Sequence, residues 1–117
     1  MKVIRGKNLK YIPVAHEDLK DPGAFKKVLF KKEELPAGRI QMINWAKLLV
    51  GRTMREHTHE NMEEIFVILH GSVLFRAGDR QEVVDAGDAI LVNAREAHEM
   101  TAQGKNEVVY IVIGIVT

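Results

Sequence analysis

Runs of apolar, largely β-branched residues recur from Gly51 onward, each closed by glycine, aspartate or asparagine. Their spacing, roughly 8 to 12 residues, is that of an all-β sandwich or barrel, and no stretch there carries the longer period of a helix. Ile65-Phe66-Val67-Ile68-Leu69 is apolar at consecutive positions and stops at His70-Gly71. This predicts a central strand, buried on both faces and closed by a turn. Ser72-Val73-Leu74-Phe75 and Gln81-Glu82-Val83-Val84 flank Ala77-Gly78-Asp79, the pattern of a hairpin whose glycine takes positive φ. Ala89-Ile90-Leu91-Val92 predicts another strand, and Glu99-Met100-Thr101 with Val108 to Val116 predicts a last hairpin turning at Gly104-Lys105-Asn106.

The first fifty residues are less regular. Pro13, Pro22-Gly23 and Pro36-Ala37-Gly38 interrupt them, with short strand-like pieces at Lys27-Val28-Leu29-Phe30 and Ile40-Gln41-Met42. His16-Glu17-Asp18-Leu19-Lys20 predicts one helical turn. An irregular N-terminal arm of this kind is expected to be tied down on the main body or on a second subunit.

With 117 residues the chain has room for one closed core. The charges nearly cancel, 17 Lys+Arg against 16 Asp+Glu, for a net +1. A nucleic-acid or acidic-membrane surface needs a clustered basic excess, so neither partner is expected. The apolar run Val108 to Val116 is too short to span a bilayer, and the amino-terminal segment has no signal-type apolar stretch, so the expected compartment is the cytoplasm. Cysteine is absent, which removes disulfides, thiolate nucleophiles and sulfur-ligated metals and leaves histidine and carboxylate as metal ligands.

That exclusion directs attention to Gly51 through Phe66. Successive side chains on a strand alternate between faces, so His57 and His59 project together and can chelate one ion. Asn61 sits at a predicted turn, after which Glu64 opens the next apolar strand and brings a carboxylate back to the same interior. His98, at the start of a later strand, offers a fourth ligand. Three imidazoles and one carboxylate suit a divalent transition ion (Mn, Fe, Ni, Co, Cu or Zn) rather than Ca or Mg, which prefer oxygen shells. Glu63 competes with Glu64 as the carboxylate. His16 and His70 lie outside this group and are expected at the surface or an edge. Met42, Met54, Met62 and Met100 are expected to fill core or pocket, and Trp45 to pack.

Gly51, His57, His59, Glu64 and Gly71 occupy every fixed position of the pattern G-x5-H-x-H-x4-E-x6-G, the first motif of the cupin superfamily, which the chain therefore resembles. The second motif, G-x5-P-x-G-x2-H-x3-N, is half kept. Gly87 and His98 are in register, whereas Asn93, Arg95 and Ala102 replace its proline, glycine and asparagine. The resemblance spans residues 51–102 and is that of a small single-domain prokaryotic cupin. It implies an all-β, double-stranded β-helix (jelly-roll-like barrel) over 1–117, with 1–38 as the N-terminal arm and first strands and 39–117 as the conserved barrel. Spacing selects Glu64 over Glu63, and the departures bear on the turn before His98.

Strand parity then suggests a lining. Phe66 and Ile68 follow Glu64 inward, Met100 follows His98, and Arg55 follows His57. Arg55 is the one cation in this set, able to hold a substrate carboxylate by a two-pronged hydrogen bond, with an outward surface charge as the equal alternative. Glu64 doubles as a base if loosely coordinated. Two function classes result: a metal-dependent dioxygenase, decarboxylase or lyase acting on a small carboxylate-bearing or dioxygen-reactive molecule, and a non-catalytic ligand-binding or sensing module whose metal is structural. A sugar or sugar-nucleotide isomerase fits less well, for want of inward polar residues. Barrels of this type often pair through an edge strand or an N-terminal arm, so a homodimer is expected.

Overall fold

The computed structural model describes residues 2–35 and 38–117. Ten strands dominate it: β1 (Ile12–Pro13), β2 (Ala24–Lys31), β3 (Ile40–Leu48), β4 (Thr53–His57), β5 (Met62–His70), β6 (Ser72–Ala77), β7 (Arg80–Asp85), β8 (Ala89–Val92), β9 (His98–Gln103) and β10 (Val108–Val116). They form a six-stranded sheet, β1-β2-β3-β10-β5-β8, and a four-stranded sheet, β4-β9-β6-β7, with every pairing antiparallel. The all-β jelly-roll expectation is therefore met. Among the described residues, no helix is long and apolar enough to cross a membrane.

Each strand expected from the apolar pattern is present: Ala89–Val92 and Val108–Val116 with the expected bounds, the others extended by one to six residues at one or both ends. Apolar on both faces, β10 takes the centre of the larger sheet, paired with β3 on one side and β5 on the other. Along it Val108, Tyr110 and Val112 are buried and alternate with less buried residues, and Phe66 and Ile68 do the same on β5. These side chains meet Val73, Phe75, Met100 and Ala102 of the smaller sheet to make the core. Fully burying a side chain of the Leu or Phe class contributes about 1.5–3 kcal/mol, so this inter-sheet layer carries most of the stability.

The N-terminal arm is tied to its own body. Lys27 Nζ donates to the Gly6 carbonyl, and the Lys27 and Lys47 ammonium groups lie over the Tyr11 ring. The predicted helical turn at His16-Lys20 does not form. Asp18 Oδ1 instead accepts from the Lys20 N–H at 3.0 Å, and Glu17 Oε1 from the N–H groups of Gly23 and Ala24. These side-chain acceptors divert the backbone into turns. Short 3-10 turns at Gly6–Asn8 and Lys32–Glu34 were not anticipated by the pattern. The break expected at Pro36-Ala37-Gly38 lies in part outside the described residues; Gly38 itself has φ +90°.

Candidate metal centre

His57, His59, Glu64 and His98 converge. One ligand atom from each lies within 4.8 Å of the others. His57 ends β4 and His98 begins β9, and the two are cross-strand partners in the smaller sheet. Glu64 is buried on β5 of the larger sheet, and His59 lies just beyond β4 in the loop before β5. The centre therefore sits between the sheets at one end of the barrel. Glu63 points to the other face of β5, which leaves the carboxylate position to Glu64, as the motif spacing indicates.

Second contacts fix the orientation of two imidazoles. His57 Nδ1–H donates to the Arg55 carbonyl at 2.8 Å and His98 Nδ1–H to the Glu96 carbonyl at 2.9 Å. Both rings thus turn Nε2 toward the cluster, the arrangement in which an outer hydrogen bond selects the metal-binding tautomer. Glu64 Oε1 lies 3.0 Å from His98 Nε2, 3.1 Å from His59 Nε2 and 4.0 Å from His57 Nε2. Three nitrogen lone pairs aimed at one carboxylate need a positive charge among them, and a transition cation fits this donor set.

The carboxylate and the imidazoles also shift one another's protonation. Burial pushes the Glu64 carboxyl up, but the hydrogen bond from His98 and the nearby imidazolium charges outweigh it and leave it below the usual carboxylate value. Burial also disfavours charge on His98, and here the Glu64 and Glu96 contacts win and raise it. His57 is lowered, by burial first and by the charge of His98. The buried carboxylate thus favours charge on His98 while burial disfavours it on His57. Phe75 stacks parallel to His98 at 6.2 Å and Phe66 meets it edge-on at 5.9 Å, holding the ring in an apolar sleeve.

A cavity of about 140 Å³ opens beside the cluster. Its apolar wall is Met42, Met54, Met62 and Phe66, with Val112 and Ala46 behind. Gly114 makes room for this wall, since a Cβ there would lie 2.6 Å from Met62 Sδ. A roomier cleft of about 770 Å³ runs between β7 and β8, but it contains none of the four ligands.

One expectation about the lining is corrected. Arg55 does not share the face of His57: a bulge between Met54 and His57 breaks the parity, so Met54 is buried, Arg55 is exposed, and its guanidinium is absent from the cavity wall. Arg55 reaches the site only through its backbone carbonyl. Trp45, expected to pack, lies half-buried on the face of β3 opposite buried Asn44 and Ala46 and lines neither cavity described above. Phe66, Ile68 and Met100 point inward as expected.

Three cavity residues were not expected. His16, exposed on the arm, stacks on His57 with ring centroids 4.8 Å apart and planes at 21°. It occupies a left-handed conformation, φ 72°, and no local sequence signal marks it. Lys26 and Asn44 also line the cavity. For Asn44 a signal existed, because it is the polar member of the inward set Met42, Asn44, Ala46 and Leu48 on β3.

A family model described as "Cupin domain" matches residues 44–114. Among solved structures, a predicted oxalate decarboxylase from Thermotoga maritima superposes with TM-score 0.87 at 21% identity, over 99% of this chain and 100% of that one. The polyketide cyclase RemF from Streptomyces resistomycificus gives 0.76 at 22%, over 98% of this chain and 79% of that one. KdgF from a Halomonas species gives 0.77 at 16%, over 99% and 96%. At these identities the likeness is one of fold. No curated protein matches the sequence.

Proposed function

We propose, from the premise that this chain belongs to the cupin domain family, that it binds one divalent transition ion through His57, His59, Glu64 and His98 and acts there on a small carboxylate-bearing or dioxygen-reactive molecule. Dioxygenase, decarboxylase and lyase are the reaction types in view. The observation that carries the metal assignment is the convergence of the four ligand atoms, with Nδ1 of His57 and His98 engaged by backbone carbonyls. When bound, the ion supplies Lewis-acid polarisation or dioxygen activation. The chain itself supplies a methionine-walled chamber for a short hydrocarbon, and its Lys26 attracts an acid group. Glu64 is the single acid in the cavity wall, so any proton taken by a side-chain carboxylate goes to it. We further propose that the protein is a cytoplasmic homodimer.

A second reading, a binding or sensing module with a structural metal, draws support from the same fact, because no other carboxylate stands ready as a base. The sugar-isomerase reading has Lys26, Asn44 and His16 as its polar contacts, few for a polyhydroxylated substrate. Metal analysis of the purified protein decides the first point: about one transition ion per chain is expected, and less than a tenth in the His57→Ala/His59→Ala variant. An unchanged metal content in that variant refutes the site. Oxygen uptake or carbon dioxide release from small carboxylates and catechols, with Fe or Mn under air, then separates enzyme from binder. Ligand-dependent stabilisation with no turnover would favour the binder.

A further inference from the structure

The inner wall of the cavity holds a polar group with no partner. Asn44 is only 5% exposed, and its Oδ1 is buried without a hydrogen bond. Its Nδ2 donates only to Met42 Sδ, a weak acceptor, at 3.0 Å. A buried, unpaired amide oxygen costs folding stability, and a side chain of similar size without polar atoms would avoid that cost. The residue faces the cavity that adjoins the metal ligands.

Register places it within reach of a molecule held at the cluster. Across the larger sheet Phe66 pairs with Val112 and Val112 with Asn44, while Glu64 pairs with Gly114 and Gly114 with Met42. Asn44 therefore stands two strands from β5, about 10 Å between backbones, and one inward position further along than Glu64. Side chains from both strands converge on the same 140 Å³. An apolar cavity of about 150 Å³ accommodates a molecule the size of benzene, so the occupant is small. Lys26, also in the wall and with no ion pair among the described residues, supplies a positive charge.

We propose that Asn44 is the specificity-determining residue of this cavity, its unpaired Oδ1, brought to the cavity surface by a turn of the side-chain amide, accepting a hydrogen bond from the hydroxyl or amine of a small, partly apolar carboxylate. This rests on the reading of the cluster as a metal centre for small carboxylates and adds the donor group that the substrate must carry. The acid end is drawn by the metal centre and Lys26, the donor meets Asn44, and the methionines enclose the hydrocarbon. A site built to pair a substrate O–H or N–H discriminates strongly against the analogue lacking it, because the protein group is then left unpaired.

The test compares butyrate with 2-hydroxybutyrate and 2-aminobutyrate by calorimetry, on the metal-loaded protein and again after chelation. At least one donor-bearing acid is expected to bind about tenfold or more tightly than butyrate. In Asn44→Leu that preference falls to within twofold while the melting temperature rises, a combination that a purely structural asparagine does not give. Asn44→Asp retains an acceptor and keeps the preference, weakening the anions butyrate and 2-hydroxybutyrate by charge repulsion while the ammonium of 2-aminobutyrate offsets that repulsion. Equal binding of the three acids to the parent protein, absence of binding by any of them, or a preference that survives in Asn44→Leu, overturns the proposal. If the protein proves to lack a metal, the metal-centre reading fails by itself, and the same comparison on the chelated protein still decides the role of Asn44.

Discussion

Single residues show why one motif position tolerates change and another does not. Gly51 and Gly71 are both fixed positions of the first motif and both have positive φ, 69° and 85°. A Cβ on Gly51 would meet nothing within 4 Å, whereas on Gly71 it would lie 2.9 Å from the Glu107 carbonyl oxygen and 3.2 Å from Val108. Gly51→Ala should then cost only the left-handed backbone term, about 1–2 kcal/mol, and Gly71→Ala about 2–4 kcal/mol once the backbone clash is added. Urea denaturation of the two variants checks the order. Arg95 carries the opposite lesson. It stands where the second motif has glycine, yet it holds φ 65° and its N–H donates to the His59 carbonyl at 2.7 Å. The turn before His98 thus keeps a left-handed residue despite the lost glycine, and Arg95→Gly should gain up to about 1 kcal/mol with metal affinity unchanged. The four residues that converge were legible at this scale because the motif fixes residue type and spacing together. His16 was not, since it reaches the site through a turn whose path depends on Glu17 and Asp18 acting as backbone acceptors.

At the scale of the strand, alternation succeeds wherever pairing is regular and fails where one residue is added. On β5 and β9 the parity from Glu64 to Phe66 and Ile68, and from His98 to Met100, holds because neither strand gains a residue there: Glu64 to Ile68 pair in register with β10, and His98 to Met100 with β6. On β4 the bulge between Met54 and His57 exchanges the faces, and neither residue type nor composition announces it. The consequence is testable. Arg55→Ala removes an exposed side chain and should leave metal affinity and small-acid binding within about twofold, with stability changed by about 0.5 kcal/mol or less. Met54→Ala opens space in the cavity wall and should cost about 2–5 kcal/mol. A large loss of carboxylate binding in Arg55→Ala would restore the guanidinium to the site. The strand edges and the hairpin at Gly78 were legible from apolar runs and turn residues, which are local signals; a bulge is set by how two distant strands meet.

At the scale of the whole molecule, two features depend on how the sheets come together. The outer face of the larger sheet carries Ile43, Trp45, Ile65, Val67, Ile111 and Ile113 on three adjacent strands, with Leu91 57% exposed at its rim. This uncharged row can meet its own copy, and since the N-terminal arm is engaged on its own sheet, it is the face on which the proposed homodimer would close. Trp45→Glu should then shift the mass measured by light scattering from dimer to monomer, and a monomeric parent protein would refute the pairing. The proposed metal centre lies across the other face. Its ligands come from both layers: His57 and His98 belong to the four-stranded sheet, Glu64 to the six-stranded one, and His59 to the loop joining them. An ion at that point links sheets otherwise held by apolar packing, and it binds the folded arrangement in preference to the unfolded chain. At a free-ion concentration a thousandfold above its dissociation constant, such linkage is worth about 4 kcal/mol. For a domain of this size, that corresponds to roughly 15 °C in melting temperature. Chelation should therefore lower the thermal midpoint of the parent protein by about that amount, and Glu64→Gln, which keeps the shape but removes the charge facing the ion, should lose most of the difference. If chelation left the midpoint unmoved in a protein shown to carry its ion, the cluster would not join the two sheets, and the ion would sit elsewhere.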